Sequence, residues 1–325
     1  MLSSTSSSNS ASNRDVVLLL ALLLAFVLAL EGAARFVMPR KSVGISRITR
    51  DLADTTNLGP ISRDGRPTVL LVGNSLLLDG IDRGQLITLT KDAADVHMFP
   101  AEGTMYVDWK FGLRRLFYSG TRPSLIVLCV NAEQLTTRGT NGATFAHFMM
   151  PLRDYREVVR ESDLHPMAAS EYFLAHWSYW LATRGNVRMG IMERVIPGAK
   201  ALVPHLTLSG KHNSDDAGRM TALIVDRLQT LQAEAARNGS KFVWLVPPTE
   251  NSADLGPDAV VQATAAGVAV LIPYQPGEMP AANYADGFHL NAEGARLLTP
   301  KVASSLKALI QANSPLSEPA GSQGN

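Results

Sequence analysis

The stretch Pro67-Thr-Val-Leu-Leu-Val-Gly-Asn-Ser75 decides how this chain folds. Thr68 to Val72 is a short apolar run, and Gly73-Asn74-Ser75 ends it. A run of this length between Pro and Gly reads as a strand buried on both faces, as in a parallel sheet. Working outward, the pattern recurs at Asp95–Phe99, Ser124–Val130, Lys241–Val246 and Val268–Ile272. Pro247-Pro248 and Pro273 stop the last two runs. Helical segments fit at Arg83–Lys91, Tyr106–Tyr118, Ala217–Asn238 and Pro257–Ala266, with Gly239 as a C-cap glycine. Asn291–Asn313 reads as a closing helix, with Pro300 near a turn or causing a kink. Strands alternating with helices predict an α/β fold: a three-layer α/β/α, flavodoxin-like parallel sheet of about five strands.

The chain has 325 residues and is 46% hydrophobic, enough for one large domain with a substantial core. A formal net charge of +1 gives no electrostatic case for a nucleic-acid partner. The single cysteine, Cys129, excludes an intramolecular disulfide and a cysteine-cluster metal site. Inside an apolar run it reads as a small core residue. His97, His147, His165, His176, His205 and His212 show no metal-ligand spacing, and no cofactor is implied.

The Ser-rich N-terminus, residues 1–15, and the Ser/Pro/Gly-rich tail, residues 313–325, read as disordered. Val16–Leu30 is an unbroken apolar run, slightly short for a span of about 20 residues. Continuing to Val37 makes a transmembrane anchor over 16–37, with Glu31 and Arg35 one turn apart near the interface. A cleaved signal peptide ending near Gly32-Ala33-Ala34 and a buried soluble helix are the alternatives. Arg35, Arg40, Lys41, Arg47 and Arg50 follow the span, which by the positive-inside rule would put the large domain in the cytoplasm. Residues 38–66 read as a polar, basic connector.

Residues 132–216 are too long for a simple crossover and read as a helical insertion within a domain spanning 67–312. The insertion carries aromatics such as Tyr172, Phe173, Trp177 and Trp180. It is either a lid or acceptor-binding surface, or an ordinary helical subdomain. Arg114-Arg115 and Arg153/Arg156/Arg160 read as solvated faces, though an acidic glycan could use them.

The chemistry-bearing residues are few. Ser75 ends the first strand run, and Asp286-Gly-Phe-His289 stands just before the closing helix. A hydroxyl becomes a nucleophile when a base takes its proton, and the base works best when a third group fixes its tautomer. Ser75, His289 and Asp286 can supply those roles. Each also has a plainer reading: a serine capping the next helix, a surface histidine, a capping aspartate. Asn131 follows the third run and could be a helix N-cap; Gly103 follows the second and could be a turn glycine.

Together, Gly73-Asn74-Ser75, Gly103, Asn131 and Asp286-x-x-His289 resemble the sequence blocks of the SGNH hydrolases, the GDSL-type esterase and acyltransferase superfamily. Two positions depart from its pattern: Asn74 stands where Asp is usual, and Cys129 where Gly precedes the Asn. The resemblance implies Ser75 as nucleophile, His289 as base, and Asp286 as the group that orients the imidazole. It implies Gly103 and Asn131 as oxyanion donors. It further implies an esterase or O-acyltransferase anchored in the cytoplasmic membrane with its domain outside the cytoplasm. The substrate would be an acylated small molecule or a cell-surface polysaccharide, with a polytopic membrane acyltransferase as a candidate partner. The competing expectation is a non-catalytic scaffold of the same fold that binds a polysaccharide or a membrane partner.

Overall fold

The structure, a computed structural model, describes residues 13–196, 214–250 and 256–313. The expectations for both termini, His205 and His212 fall wholly or largely outside those residues. Five parallel strands form one sheet: β1 (Thr68–Gly73), β2 (Asp95–Pro100), β3 (Leu125–Cys129), β4 (Lys241–Leu245) and β5 (Ala269–Leu271). Their order is β2-β1-β3-β4-β5, the flavodoxin-like order expected.

Strand periodicity makes the layers. Leu70, Val72, Ile126, Leu128, Phe242 and Trp244 point to one face. That face is covered by α2 (Val43–Thr55), α5 (Tyr106–Tyr118), α10 (Ser214–Arg237) and α11 (Gly256–Ala265). Val69, Leu71, Val127, Cys129, Val243 and Leu245 point to the other. There α3 (Ser75–Gly80), α4 (Arg83–Thr90) and α12 (Ala292–Asn313) close the layer. Cys129 is buried in that core, and burial pushes its thiol pKa well up.

Three expectations are corrected. The segment 38–66 is not merely a connector: its middle is α2, which buries Ile45, Ile48, Asp51 and Thr55. Asp51 takes a bidentate ion pair from Arg83 at 2.9 Å on both oxygens, which offsets its desolvation. Arg114 and Arg115 are not a solvated face. Arg114 is largely buried and pairs with Glu157 at 2.6 Å, while Arg115 Nη1 donates to the His147 carbonyl at 2.8 Å. Their apolar stems pack while their heads find internal partners. Of the two places expected for Pro300, the turn is ruled out: it lies inside α12. Proline has no N–H to offer the Arg296 carbonyl one turn back, and Arg296 is exposed to water.

The insertion folds as α6 (Gly142–Phe148), α7 (Tyr155–Glu161), α8 (Pro166–Trp177) and α9 (Tyr179–Val195). Phe145, Phe148, Tyr172 and Tyr179 turn inward to the main core. His147 Nδ1 and His176 Nδ1 bond backbone carbonyls across the α6–α8 contact, so both serve packing. The leading helix, α1 (Asn13–Lys41), is long and apolar enough to cross a membrane.

Candidate active site

Ser75 is placed by a close approach of backbones. Gly73 pairs with Pro100 of β2 and Cys129 of β3, so it sits between both neighbours at the carboxyl edge. A Cβ there would lie 2.3 Å from the Cys129 carbonyl oxygen and 3.0 Å from Leu77 Cβ. Glycine is needed here for that close contact and not for a positive φ. Asn74 then caps α3: its Oδ1 accepts from Leu76 N at 3.0 Å. Its Nδ2 donates to the Thr104 carbonyl at 3.2 Å. The second bond accounts physically for Asn in place of Asp, since a carboxylate has no donor for that buried carbonyl. Ser75 is the first residue of α3, so its N–H has no intrahelical acceptor.

β1 lies between β2 and β3, where the chain switches direction across the sheet. Ligands bind outside the carboxyl ends of strands at such a point. Gly103 and Asn131, just beyond the ends of β2 and β3, share this edge with Ser75. Gly103 has φ +69° and faces the Asn141 side chain. Asn131 is buried, and its Oδ1 accepts from Gln134 N at 3.0 Å. The Gln134 side chain in turn accepts from Asn131 N at 3.0 Å. The residue therefore does cap a short helical turn, and its Nδ2 has no bond among the described residues. The Trp244 indole N–H donates to the Val130 carbonyl at 2.9 Å and fixes the strand end beside it.

Asp286 and His289 come from the loop before α12. A bridge between Tyr284 and Leu290 closes this loop, and Gly287 turns it at φ +78°. Asp286 Oδ1 accepts from Phe288 N at 3.0 Å and His289 N at 2.7 Å, an Asx turn. Its Oδ2 lies 2.8 Å from His289 Nδ1. His289 Nε2 lies 2.9 Å from Ser75 Oγ. Partial burial raises the Asp286 pKa, but the His289 and Phe288 N–H bonds and the imidazole outweigh it and leave the carboxyl below its ordinary value. An ionised Asp286 holds a proton on Nδ1 and leaves Nε2 free to accept from the hydroxyl.

Several neighbours carry no sequence signal. Asp79 stands one turn past Ser75 on α3. Lost solvation pushes its pKa up; His289 and Arg47 pull it down, while Glu102 and Asp286 push it further up. Arg47 of α2 pairs with Glu102 at 2.9 Å, which ties the helix after α1 to the loop bearing Gly103. Glu250 N donates to the Gly287 carbonyl at 3.1 Å, so the loop after β4 braces the histidine loop. These contacts join segments far apart in sequence, and no local pattern marks them.

Neither a protein-family model nor a curated protein matches the chain. Solved structures do. A GDSL-like lipase from Bacteroides thetaiotaomicron is 11% identical over 82% of this chain and 98% of its own, with a TM-score of 0.41. An acetyl xylan esterase from the rumen bacterium Butyrivibrio proteoclasticus is 12% identical over 75% and 64%, with a TM-score of 0.38. TesA is 15% identical over 74% and 99%, with a TM-score of 0.35.

Proposed function

We propose that this chain is a membrane-anchored SGNH-type serine enzyme that cleaves or transfers ester-linked acyl groups. The observation that carries the reading is the relay from Asp286 through His289 to Ser75, with contacts of 2.8 and 2.9 Å at the carboxyl edge of β1. Ser75 Oγ attacks the acyl carbonyl and gives its proton to His289 Nε2. Asp286 stabilises the imidazolium that results. The Ser75 N–H, the Gly103 N–H and the Asn131 amide receive the negative charge on the carbonyl oxygen. Collapse expels the alcohol, which takes the proton back from His289, and leaves an acyl-serine. Water then completes hydrolysis, or a sugar hydroxyl completes transfer, with His289 again as base.

The α1 helix and the expected extracytoplasmic position favour an acylated glycan at the membrane as substrate. A polytopic acyltransferase would be a fitting donor partner.

The test is labelling with a fluorophosphonate, followed by mass mapping. Ser75 should carry the adduct, and Ser75→Ala should abolish both labelling and hydrolysis of a p-nitrophenyl acyl ester. Adducts elsewhere with Ser75 unmodified would overturn the mechanism. A folded chain that neither labels nor turns over would leave the non-catalytic scaffold.

A further inference from the structure

The apolar run of α1 is too short to span a bilayer by itself. Val16–Leu30 rises about 22 Å at 1.5 Å per residue, against a hydrocarbon core of about 30 Å. A spanning α1 must therefore take in the turn after Leu30, and Glu31 lies within the lipid boundary. Glu31 is not bare there. Arg35 Nε donates to it at 2.8 Å. Ser178 Oγ donates at 2.9 Å, Tyr179 N at 2.8 Å and Trp180 N at 3.1 Å. The carboxylate thus caps the N-terminus of α9 and fixes the α8–α9 corner to the span at one depth.

What α8 shows outward is mostly apolar, and its Glu171 pairs with Arg184 of α9 at 2.6 Å. On α8, Met167, Ser170, Phe173, Leu174 and Trp177 recur at helical spacing on the exposed face, with no charge among them. Leu174 is 55% exposed and Trp177 60%, the latter beside Arg35, whose Nη2 reaches the Trp177 carbonyl. The outer surface of α1 is apolar too, and its residues from Val16 to Leu28 are exposed. Between two and three turns past Glu31 on α1 come Arg40 and Lys41, both exposed, at the level where headgroup phosphates would stand. Apolar, aromatic and cationic layers follow one another as a bilayer boundary requires.

We infer that the α8–α9 corner is a second membrane contact: Trp177 and Leu174 sit in the lipid interface beside α1, and the insertion seats the domain on the bilayer. This rests on the reading of α1 as a span, and its partner is the acyl-chain and headgroup boundary of a phospholipid bilayer.

The experiment uses the full chain in phosphatidylcholine vesicles whose acyl chains carry bromine. Of the 4 tryptophans, Trp109 and Trp244 are buried in the core, so quenching reports on Trp177 and Trp180. Brominated lipid should quench the emission, and Trp177→Phe should remove most of the quenched component. Leu174→Trp in the Trp177→Phe background should restore it. Release of the full-length chain by alkaline carbonate overturns the span and this seat together. A carbonate-resistant chain whose quenching is indifferent to Trp177→Phe, with no recovery from Leu174→Trp, overturns the seat alone. Shielding of Trp177 from aqueous acrylamide without lipid quenching would mean that a protein, such as a second copy, covers the corner, and would overturn it too.

Discussion

Gly73 has no room for a side chain, because a Cβ would press on the Cys129 carbonyl. Backbone cannot yield as a side-chain tip can, so Gly73→Ala should cost at least about 1–3 kcal/mol. Denaturant titration checks this; an unchanged midpoint would mean the strands are not so close. Asn74→Asp would set a carboxylate against the Thr104 carbonyl. The variant should lose about 1–3 kcal/mol at neutral pH. It should recover as pH falls and the introduced carboxyl gains a proton to donate. A variant as stable as the parent at every pH would contradict the role given to Nδ2. Asn131 combines a cap with an amide that has no hydrogen bond among the described residues. Asn131→Ala should therefore lower kcat about 10²–10³-fold and also cost about 0.5–2 kcal/mol of stability. Measuring both on one variant separates them. A destabilised but fully active variant would remove the amide from the oxyanion site.

At the level of elements, the β2–α5 loop depends on a buried carboxylate. Asp108 accepts from Met105 N at 2.7 Å and Asn141 N at 2.9 Å, and Asn141 Nδ2 reaches back to the Glu102 carbonyl at 2.6 Å. These bonds hold the turn that presents Gly103. Burial pushes the Asp108 pKa up to about 7, with the backbone N–H bonds opposing. The folded state therefore binds the proton more tightly than the unfolded chain. Its contribution to stability is full below the ordinary carboxylate pKa of about 3.9 and is lost as pH rises through about 7. Unfolding free energy followed between those values should fall in the parent, and the fall should be shallower in Asp108→Asn. Identical slopes would rule out Asp108 as the titrating group.

Across the whole molecule, α1, α2 and the sheet edge that carries Ser75 are mechanically joined. Glu31 of α1 caps α9, and Arg47 of α2 pairs with Glu102 beside Gly103. If the domain lies outside the cytoplasm, as the resemblance implies, alkaline phosphatase fused after Asn325 should be active. That enzyme needs disulfides, which form outside the reducing compartment. An inactive but intact fusion would put the domain inside, as the basic residues after the span suggest. Such a result would exclude a cell-surface glycan without touching the ester chemistry.

The sheet was legible in the sequence because buried parallel strands are short apolar runs between breakers, and each observed strand lies within its expected run or one residue from it. Tyr106–Tyr118 was legible to the residue, since a closed apolar pattern bounds it. Ser75, Asn131, Asp286 and His289 were legible as candidates because strand ends and an Asp-x-x-His loop are local signals. Their convergence was not local. The 2.9 Å contact between His289 and Ser75 joins residues 214 positions apart and depends on β1 lying between β2 and β3 and on α12 packing against α3. The same holds for Arg114, whose charge reads as solvent-facing until Glu157 is folded against it. Glu31 likewise reads as an interface charge until α9 supplies three donors. Local composition fixes which residues can form strands and helices, because propensity and periodicity act over a few residues. Which polar groups become partners is decided only when distant elements pack, because desolvation makes each buried charge find the donor that the tertiary structure brings to it.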